Sequence, residues 1–432
     1  MAMVRAAVIG RDGRTTAVRR ALARSPKIEA DVACLTAWSG QSAAAALEEV
    51  ARNVAAHRPD FVFVGPEAPL AAGVVDELEN LGIPSIGPNR ALARLESSKA
   101  FTRELIARHA IPGNPEYRVF RDLEGLEAYM RQLGDFVVKP DGLTSGKGVK
   151  VAGIHLDSID AALAYVREVL GEHLAVVIEE KLDGEEFSLQ SFCDGIHVVD
   201  MVVVQDHKRA HEGDRGPNTG GMGSYSCEDH RLPFLSAEDV RAASAINAAV
   251  AQALLRDTGQ RYRGILYGGF MATRHGVRLL EYNARLGDPE ALNVLPLLKT
   301  DLVDICEAIV RGTLDRVKVE FERLATVCKY VAPRGYPDCP VKGARISLAR
   351  VPVESDRLKH YPAAVEERAD GLYLTGSRAI GFVGLGATLG EAEAIAEEAA
   401  SAVEGPVFHR RDIGTTALID QRREHMRRLR AS

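Results

Sequence analysis

The chain has 432 residues, a formal net charge of −6 at pH 7, 46% apolar and 26% charged residues. That is the balance of an ordinary globular protein with room for about three domains. The mild acidity gives no electrostatic footprint for nucleic acid, and no apolar run approaches the ~18 residues needed to cross a bilayer.

The six cysteines (Cys34, Cys193, Cys227, Cys306, Cys328 and Cys339) are scattered, with no CxxC spacing. They point to a reducing compartment. After Arg5 only Ala6 to Ile9 is apolar before Arg11 and Asp12, so no secretory leader is expected. The expectation is a cytoplasmic protein, monomer or homodimer, without nucleic-acid or membrane partners. The basic stretch Gln421 to Arg430 reads as a solvated terminal helix rather than an RNA contact.

In chain order, Arg5 to Ile9, Asp31 to Leu35, Phe61 to Val64 and Pro84 to Ile86 read as strands. Helices over Thr15 to Arg24, Gln41 to His57 and Val74 to Leu81 separate them, the alternation of a parallel wound α/β sheet. Gly10 and Gly13 at the first strand end are too sparse for a dinucleotide fingerprint. A helix around Ser98 to His109 ends before Pro112. Further along come a long helix from Ala237 to Arg256 and strands at Gly264 to Met271 and Val277 to Leu280. The expected domains are 1–105, 106–325 and 326–432, the second divided into a small lid unit (about 117–194) and a larger part (about 195–325).

Three blocks carry chemistry. Phe136-Val-Val138 delivers Lys139 into KPDGLTSGKGVK, where Gly142, Gly146 and Gly148 let backbone N–H groups approach anionic oxygen and Lys147 adds charge. Val149 after Gly148 excludes a GxxxxGK[ST] loop. The second block, Gln205 to Ser224, is too polar and Gly-rich for a packed element and long for a plain connection, which marks it as functional. His207 and His211 in it lack a third ligand at metal spacing, so zinc is not expected. In the third, EYNARLGDPE, Glu281 and Asn283 stand at i and i+2 of a strand and share one face. Their hard oxygens suit Mg²⁺ or Mn²⁺, and Arg285 sets a fixed cation beside them as phosphoryl transfer requires.

In this order the blocks resemble the ATP-grasp superfamily, and within it the phosphoribosylamine–glycine ligases, archaeal branch. The motifs are VGPEAPL at Val64, SSKAF at Ser97, KPDGLTSGKGVKV at Lys139, IEEKLDGEEFSLQ at Ile178, the Gln205 block, EYNARLGDPEA at Glu281 and HRRDIG at His409. The resemblance implies an α/β and α+β multidomain fold, with a pre-ATP-grasp domain, an ATP-grasp region and a C-terminal α+β domain. It implies ATP with Mg²⁺ or Mn²⁺, and glycine and 5-phosphoribosylamine as substrates.

For ATP the implied residues are Lys99, Lys139, Gly142, Gly146, Gly148, Glu179, Glu180, Leu182 and Glu186, with Glu185 the near alternative to Glu186 for the ribose. Glu281 and Asn283 would take the metal, with Arg285 and Lys147 catalytic and the glycine loop a closing lid. Asp288 and Glu290 are candidates for the glycine ammonium, and Asn218 to Gly223, including Thr219 and Gly220, for its carboxylate and the reacting centre; Asp206 and Lys208 are further substrate-binding candidates. Gly10, Arg11, Gly13, Arg14 and Glu67 are candidates for the acceptor, its phosphate at the helix N-terminus near Thr15.

The chain departs from the family pattern after its first two strands. RDGRTTAV has Thr15 and Thr16 where Glu and His are usual, and TAWSGQS replaces a Pro-Gly-Asn segment. A paralogous ligase using a different amine is therefore the alternative. A non-catalytic nucleotide binder would have no need of Lys99, Lys139, Glu281, Asn283 and Arg285 together.

Overall fold

The computed structural model describes residues 3–29, 31–36, 38, 41–144 and 148–431. Among these, a four-stranded parallel sheet runs in the order Ala33–Thr36, Ala6–Ile9, Phe61–Val64, Ser85–Ile86. Its two central strands, Ala6–Ile9 and Phe61–Val64, are short apolar runs buried on both faces, as a sheet covered by helices requires. The first helix, Gly13–Ala23, starts two residues before the expected Thr15, because Asp12 caps it by accepting from Thr15 N at 2.8 Å. The helices Glu67–Ala72 and Arg90–Ser97 were not expected; both lie in short stretches of weak periodicity.

The second unit is a sheet in the order Tyr117–Phe120, Val176–Glu180, Phe136–Pro140, Lys150–Val151. The helices Leu126–Leu133 and Ile159–Glu172 pack on it around Met130, Phe136, Val138, Val166 and Ile178. This sheet closes at Glu180, not near 194. The next strand, Glu185–Cys193, pairs with Gly264–Thr273 in a second antiparallel sheet, flanked by Val198–Asp200 and Gly276–Asn283. Its inward residues, Phe187 and Leu189, bury against the long helix Ala237–Thr258, so the boundary follows the burial of that strand.

The Gln205 block is built, not loose. Gln205–Asp206 and Gly223–Ser226 pair with each other, and the latter pairs with Ala325–Pro333. They thus extend the C-terminal sheet, which continues through Ile380–Gly386 and Leu358–Pro362. Between them Arg209–His211 and Arg215–Asn218 form a small hairpin. Its strands thus join a block expected in the ATP-grasp region to the sheet of the last domain. The chain ends in a helix, Thr416–Ala431, as expected. Among the described residues no helix is long and apolar enough to cross a membrane.

Candidate active site

A cavity of about 450 Å³ draws its lining from all four of these sheets and their connections. Lys99, Gly142, Glu179, Glu281, Asn283 and Arg285 line one side, and Asp206, Lys208, Asn218, Thr219, Gly220, Asp288 and Glu290 another, with Arg14 and Glu67 between. Residues as far apart in the chain as Arg14 and Glu290 thus line one cavity. Gly146 and Lys147 lie outside the described residues. Gly148 is off the cavity wall, its carbonyl accepting from Tyr165 Oη at 2.7 Å.

The strand carrying Glu281 is irregular where it matters. Phe270 faces Leu279 and Gly269 faces Glu281, so Leu280 is an extra residue in the ladder. Its freed carbonyl accepts from Lys139 Nζ at 2.9 Å and Arg103 Nη2 at 2.8 Å. Lys139 also pairs with Glu179 at 2.7 Å, and Arg103 grips the same carboxylate through Nε and Nη2 at 2.6 and 2.9 Å. Burial works against both charges. Arg103 and Lys139 nonetheless hold Glu179 below the usual carboxylate range, while burial pulls Lys139 below an ordinary lysine. Glu179 is therefore a partner of Lys139, not a free group for nucleotide.

The backbone of Val176–Glu180 is paired on both edges, and Lys181 N donates to Asp135 O. Glu180 accepts from Glu116 N at 2.9 Å, away from the cavity. Leu182, one of the residues implied for ATP, lies at the strand exit outside that pairing. Glu185 is buried and bound to His425 and Arg422, which removes it as the ribose alternative. Glu186 points the other way, accepting from Lys208 Nζ at 3.2 Å. Lys99 Nζ donates to Gly142 O at 2.8 Å.

Arg285 is held on three sides: Glu67 at 3.2 Å, Glu96 at 3.0 Å and the Asn283 amide oxygen at 3.2 Å. Burial raises Glu67, but Arg285 and Arg14 overcome it and hold the carboxyl at about 2. For Glu96 burial wins, and the nearby Glu67 charge adds to it, lifting its carboxyl to about 6. Asp206 is also lifted to about 6 by burial, Glu290 and Glu186 adding to the effect against Lys208. For Glu281 burial is outweighed by Lys208, Lys139, Lys99 and Arg285, which keep it below the usual range.

The donor set fits a divalent cation in part. Among the described residues no cluster of three or more His, Cys, Asp or Glu is arranged to hold a metal. Glu281 and Asn283 supply two hard oxygens, and an oxygen-rich ligand would have to complete the shell.

The acceptor end differs from expectation. Arg14 faces the cavity, but its Nε donates to Asp12 at 2.7 Å, its Nη1 to Leu286 O at 3.1 Å, and its Nη2 lies 3.4 Å from Glu67. Gly10 and Gly13 do not line the cavity. A Cβ at Gly13 would sit 2.0 Å from Tyr330 Oη, so this glycine serves close packing. The Asp12 carboxylate already occupies the helix N-terminus and takes the Thr15 hydroxyl at 2.7 Å, which argues against a second anion there. Thr15 is buried in that cap.

Several site residues escaped the sequence reading. Glu96 and Arg103 flank the SSKAF motif, Tyr267 donates to Glu290 at 2.7 Å, and Tyr330 donates to Asp288 at 2.7 Å. Arg378 enters from the C-terminal sheet. Its Nη1 donates to the carbonyls of Gly220, Gly221 and Asp288 at 2.9, 2.8 and 3.0 Å, and its guanidinium lies over Tyr330.

The chain matches the three domains of phosphoribosylglycinamide synthetase: the N domain over residues 4–96, the ATP-grasp (A) domain over 97–291 and the C domain over 326–416. It is 49% identical to the phosphoribosylamine–glycine ligase of Methanocella arvoryzae, with 98% of this chain and 99% of that one covered. Against the same enzyme of Methanoregula boonei the identity is 47%, covering 98% and 99%. A crystal structure of phosphoribosylamine–glycine ligase from Thermotoga maritima superposes with a TM-score of 0.78 at 29% identity, covering 95% of this chain and 100% of that one. A biotin carboxylase domain from Hydrogenobacter thermophilus, solved with MgADP and bicarbonate, shares the fold at a TM-score of 0.72 and 13% identity, covering 99% and 94%. The chain belongs to the phosphoribosylglycinamide synthetase family of ATP-grasp ligases.

Proposed function

We propose that the chain ligates glycine to 5-phosphoribosylamine, converting ATP to ADP and phosphate through glycyl phosphate. The observation that carries this reading is the single cavity bordered by a phosphate-handling wall (Lys99, Glu281, Asn283, Arg285) and by buried carboxylates suited to an ammonium (Asp288, Glu290). Lys99 and Lys139 bind the α- and β-phosphates, Leu182 presents backbone to adenine, and Glu186 accepts from the ribose hydroxyls. Glu281 and Asn283 would hold Mg²⁺ or Mn²⁺ together with nucleotide oxygens. When bound, the cation would screen the charge that repels an incoming carboxylate.

The glycine carboxylate oxygen attacks the γ-phosphorus, forming the P–O bond of the acyl phosphate as the bond to the β-phosphate oxygen breaks. Arg285, oriented by Glu67 and Glu96, lies beside the charge that builds there. Asn218 to Gly220 orient the reacting carboxyl group. The neutral acceptor amine then attacks the acyl carbon and phosphate leaves. A free amine is nucleophilic unaided, so no activating triad is required.

With Arg14 and the first helix terminus engaged internally, Arg378 and the Gly376–Ser377 backbone at the cavity rim are the better cradle for the acceptor phosphate. The Thr15 substitution sits in the helix cap, not on the cavity wall, so it gives no support to a different amine; Ser39 and Gly40 of the second altered segment lie outside the described residues. The test is ADP release with glycine, crossed against phosphoribosylamine made in situ and a panel of other amines. Product with another amine and none with phosphoribosylamine overturns this reading.

A further inference from the structure

The HRRDIG segment does not line the cavity, yet it makes buried charge contacts in the C-terminal domain. Arg410 is 0% exposed. Its Nε and Nη2 donate to Asp412 at 2.9 and 2.7 Å, and its Nη1 to Asp214 at 2.8 Å and to Arg209 O at 3.1 Å. Asp412 in turn accepts from Gly213 N at 2.9 Å. Arg422, nearly two turns into the last helix, also pairs with Asp214 and lies 3.3 Å from Glu185. Two cations from the tail thus converge on one acid, Asp214, at the tip of the Arg209–Asn218 hairpin.

That tip has left-handed backbone: Asp214 has φ of 51°. Such a residue is uncommon and persists where its surroundings fix it. At the base of the same hairpin, Thr219 returns to Lys208, donating both N–H and Oγ1–H to its carbonyl at 2.7 and 2.8 Å. Lys208, Asn218 and Thr219 all line the cavity. The tail therefore grips one end of a rigid ribbon whose other end forms a wall of the site. Glu185, held by Arg422 and by His425 at 2.7 Å, is the chain neighbour of Glu186.

We propose that Arg410 and Arg422 are positioning residues: through Asp214 they fix the hairpin so that Lys208, Asn218 and Thr219 stand at the reacting centre. Neither touches substrate. The inference rests on the ligase reading, since it names the hairpin base as the amino-acid wall. The sign of charge is essential, because Asp214 lies between the two guanidinium groups and its carboxyl is held far below the usual range by His207, Arg422 and Arg410 despite burial.

Arg422→Met and Asp214→Asn test it, as both sites are only partly covered and should tolerate the change better than buried Arg410. Amide hydrogen exchange should quicken about tenfold within 209–219 and stay unchanged within 264–283. Turnover should fall about tenfold or more, with the KM for glycine raised and the affinity for a nonhydrolysable ATP analogue with Mg²⁺ within about twofold of wild type. Arg422→Lys, which keeps the charge, should recover part of the turnover. Unchanged turnover in both variants overturns the proposal whatever the exchange shows. So does quickened exchange throughout the molecule, which would make the tail a general staple of the fold. Should wild type itself fail to use phosphoribosylamine, the ligase reading fails, whereas the exchange pattern still reports on the tether.

Discussion

Lys139 donates to the carbonyl of Leu280 at 2.9 Å, across the junction between the small sheet and the strand that carries Glu281 and Asn283. Arg103 donates to the same carbonyl and holds Glu179, the other partner of Lys139. Lys139 and the strand that carries Glu281 and Asn283 are thus one unit, set by a bulge that frees a main-chain oxygen from the ladder. A flat ladder would have consumed that carbonyl.

Replacing Lys139 should therefore damage the site without unfolding it. Lys139→Met removes a charge-assisted contact of roughly 1.5–3 kcal/mol, so ADP release should slow about ten- to a hundredfold. Glu179 keeps Arg103, so far-UV circular dichroism should not change. Asn283→Ala should act differently. It removes one metal oxygen and the Arg285 partner, so the Mg²⁺ concentration needed for half-maximal rate should rise about tenfold or more. Wild-type turnover in Lys139→Met, or an unmoved Mg²⁺ requirement in Asn283→Ala, would count against these assignments.

Glu96 and Asp206 give the enzyme an acidic limb. Both carboxyls sit at about 6, and both must be charged to keep Arg285 and Lys208 paired as described. Activity should fall as pH drops through about 6, and Glu96→Gln should change the shape of that limb. Stability should move the opposite way for these groups. Their folded-state values lie above the ordinary carboxyl range, so the folded chain holds the extra protons. Their contribution is full below the unfolded value and is lost as pH rises through about 6. Denaturant midpoints of wild type and Glu96→Gln should therefore converge as pH falls below about 4.5 and separate above 6, the variant being the more stable. A wild-type midpoint that keeps pace with the variant above pH 6 would remove this account.

Much of the site was legible because its chemistry is local. Glu281 and Asn283 share a strand face, and the Lys139 block follows an apolar run, so type and spacing sufficed. What was hidden depends on long-range pairing. Arg378 reaches the cavity only because the Gln205 block joins the C-terminal sheet, and no periodicity in that polar stretch announces a strand. Glu185 and Glu186 are adjacent and chemically alike; strand alternation sends one to the terminal helix and the other to Lys208. Gly13 looked like an anion turn, but the packing of Tyr330 from a distant strand decides its role.

That last contact predicts a coupled loss. In Gly13→Ala the new Cβ would meet Tyr330 Oη, which donates to Asp288. The tyrosine must move, at a cost of roughly 1–3 kcal/mol, and the Asp288 carboxylate loses its orienting bond. The melting temperature should fall and the KM for glycine rise together. In Gly13→Ala combined with Tyr330→Phe, which removes the clashing oxygen, the melting temperature should recover while the KM stays high. Recovery of both would mean that the Tyr330 hydroxyl has no part in amino-acid binding.

The two arginines at the acceptor end should separate the half-reactions. Arg378 comes from the C-terminal sheet and fixes the Gly220 and Gly221 carbonyls through one nitrogen; no partner for its other nitrogens is seen among the described residues. Arg14 is bound to Asp12, Leu286 and Glu67, and through Glu67 it reaches Arg285. Arg378→Ala should lower kcat/KM for phosphoribosylamine about ten- to a hundredfold. Glycine-dependent exchange of the β,γ-bridging oxygen of labelled ATP, which needs no acceptor, should stay near wild type. Arg14→Ala should weaken both, because the pair that orients Arg285 loosens. Arg378→Lys keeps the charge but not the fork, and should fall between wild type and Arg378→Ala. If Arg14→Ala spares the oxygen exchange and abolishes acceptor use while Arg378→Ala spares both, the acceptor phosphate belongs at the first strand end after all.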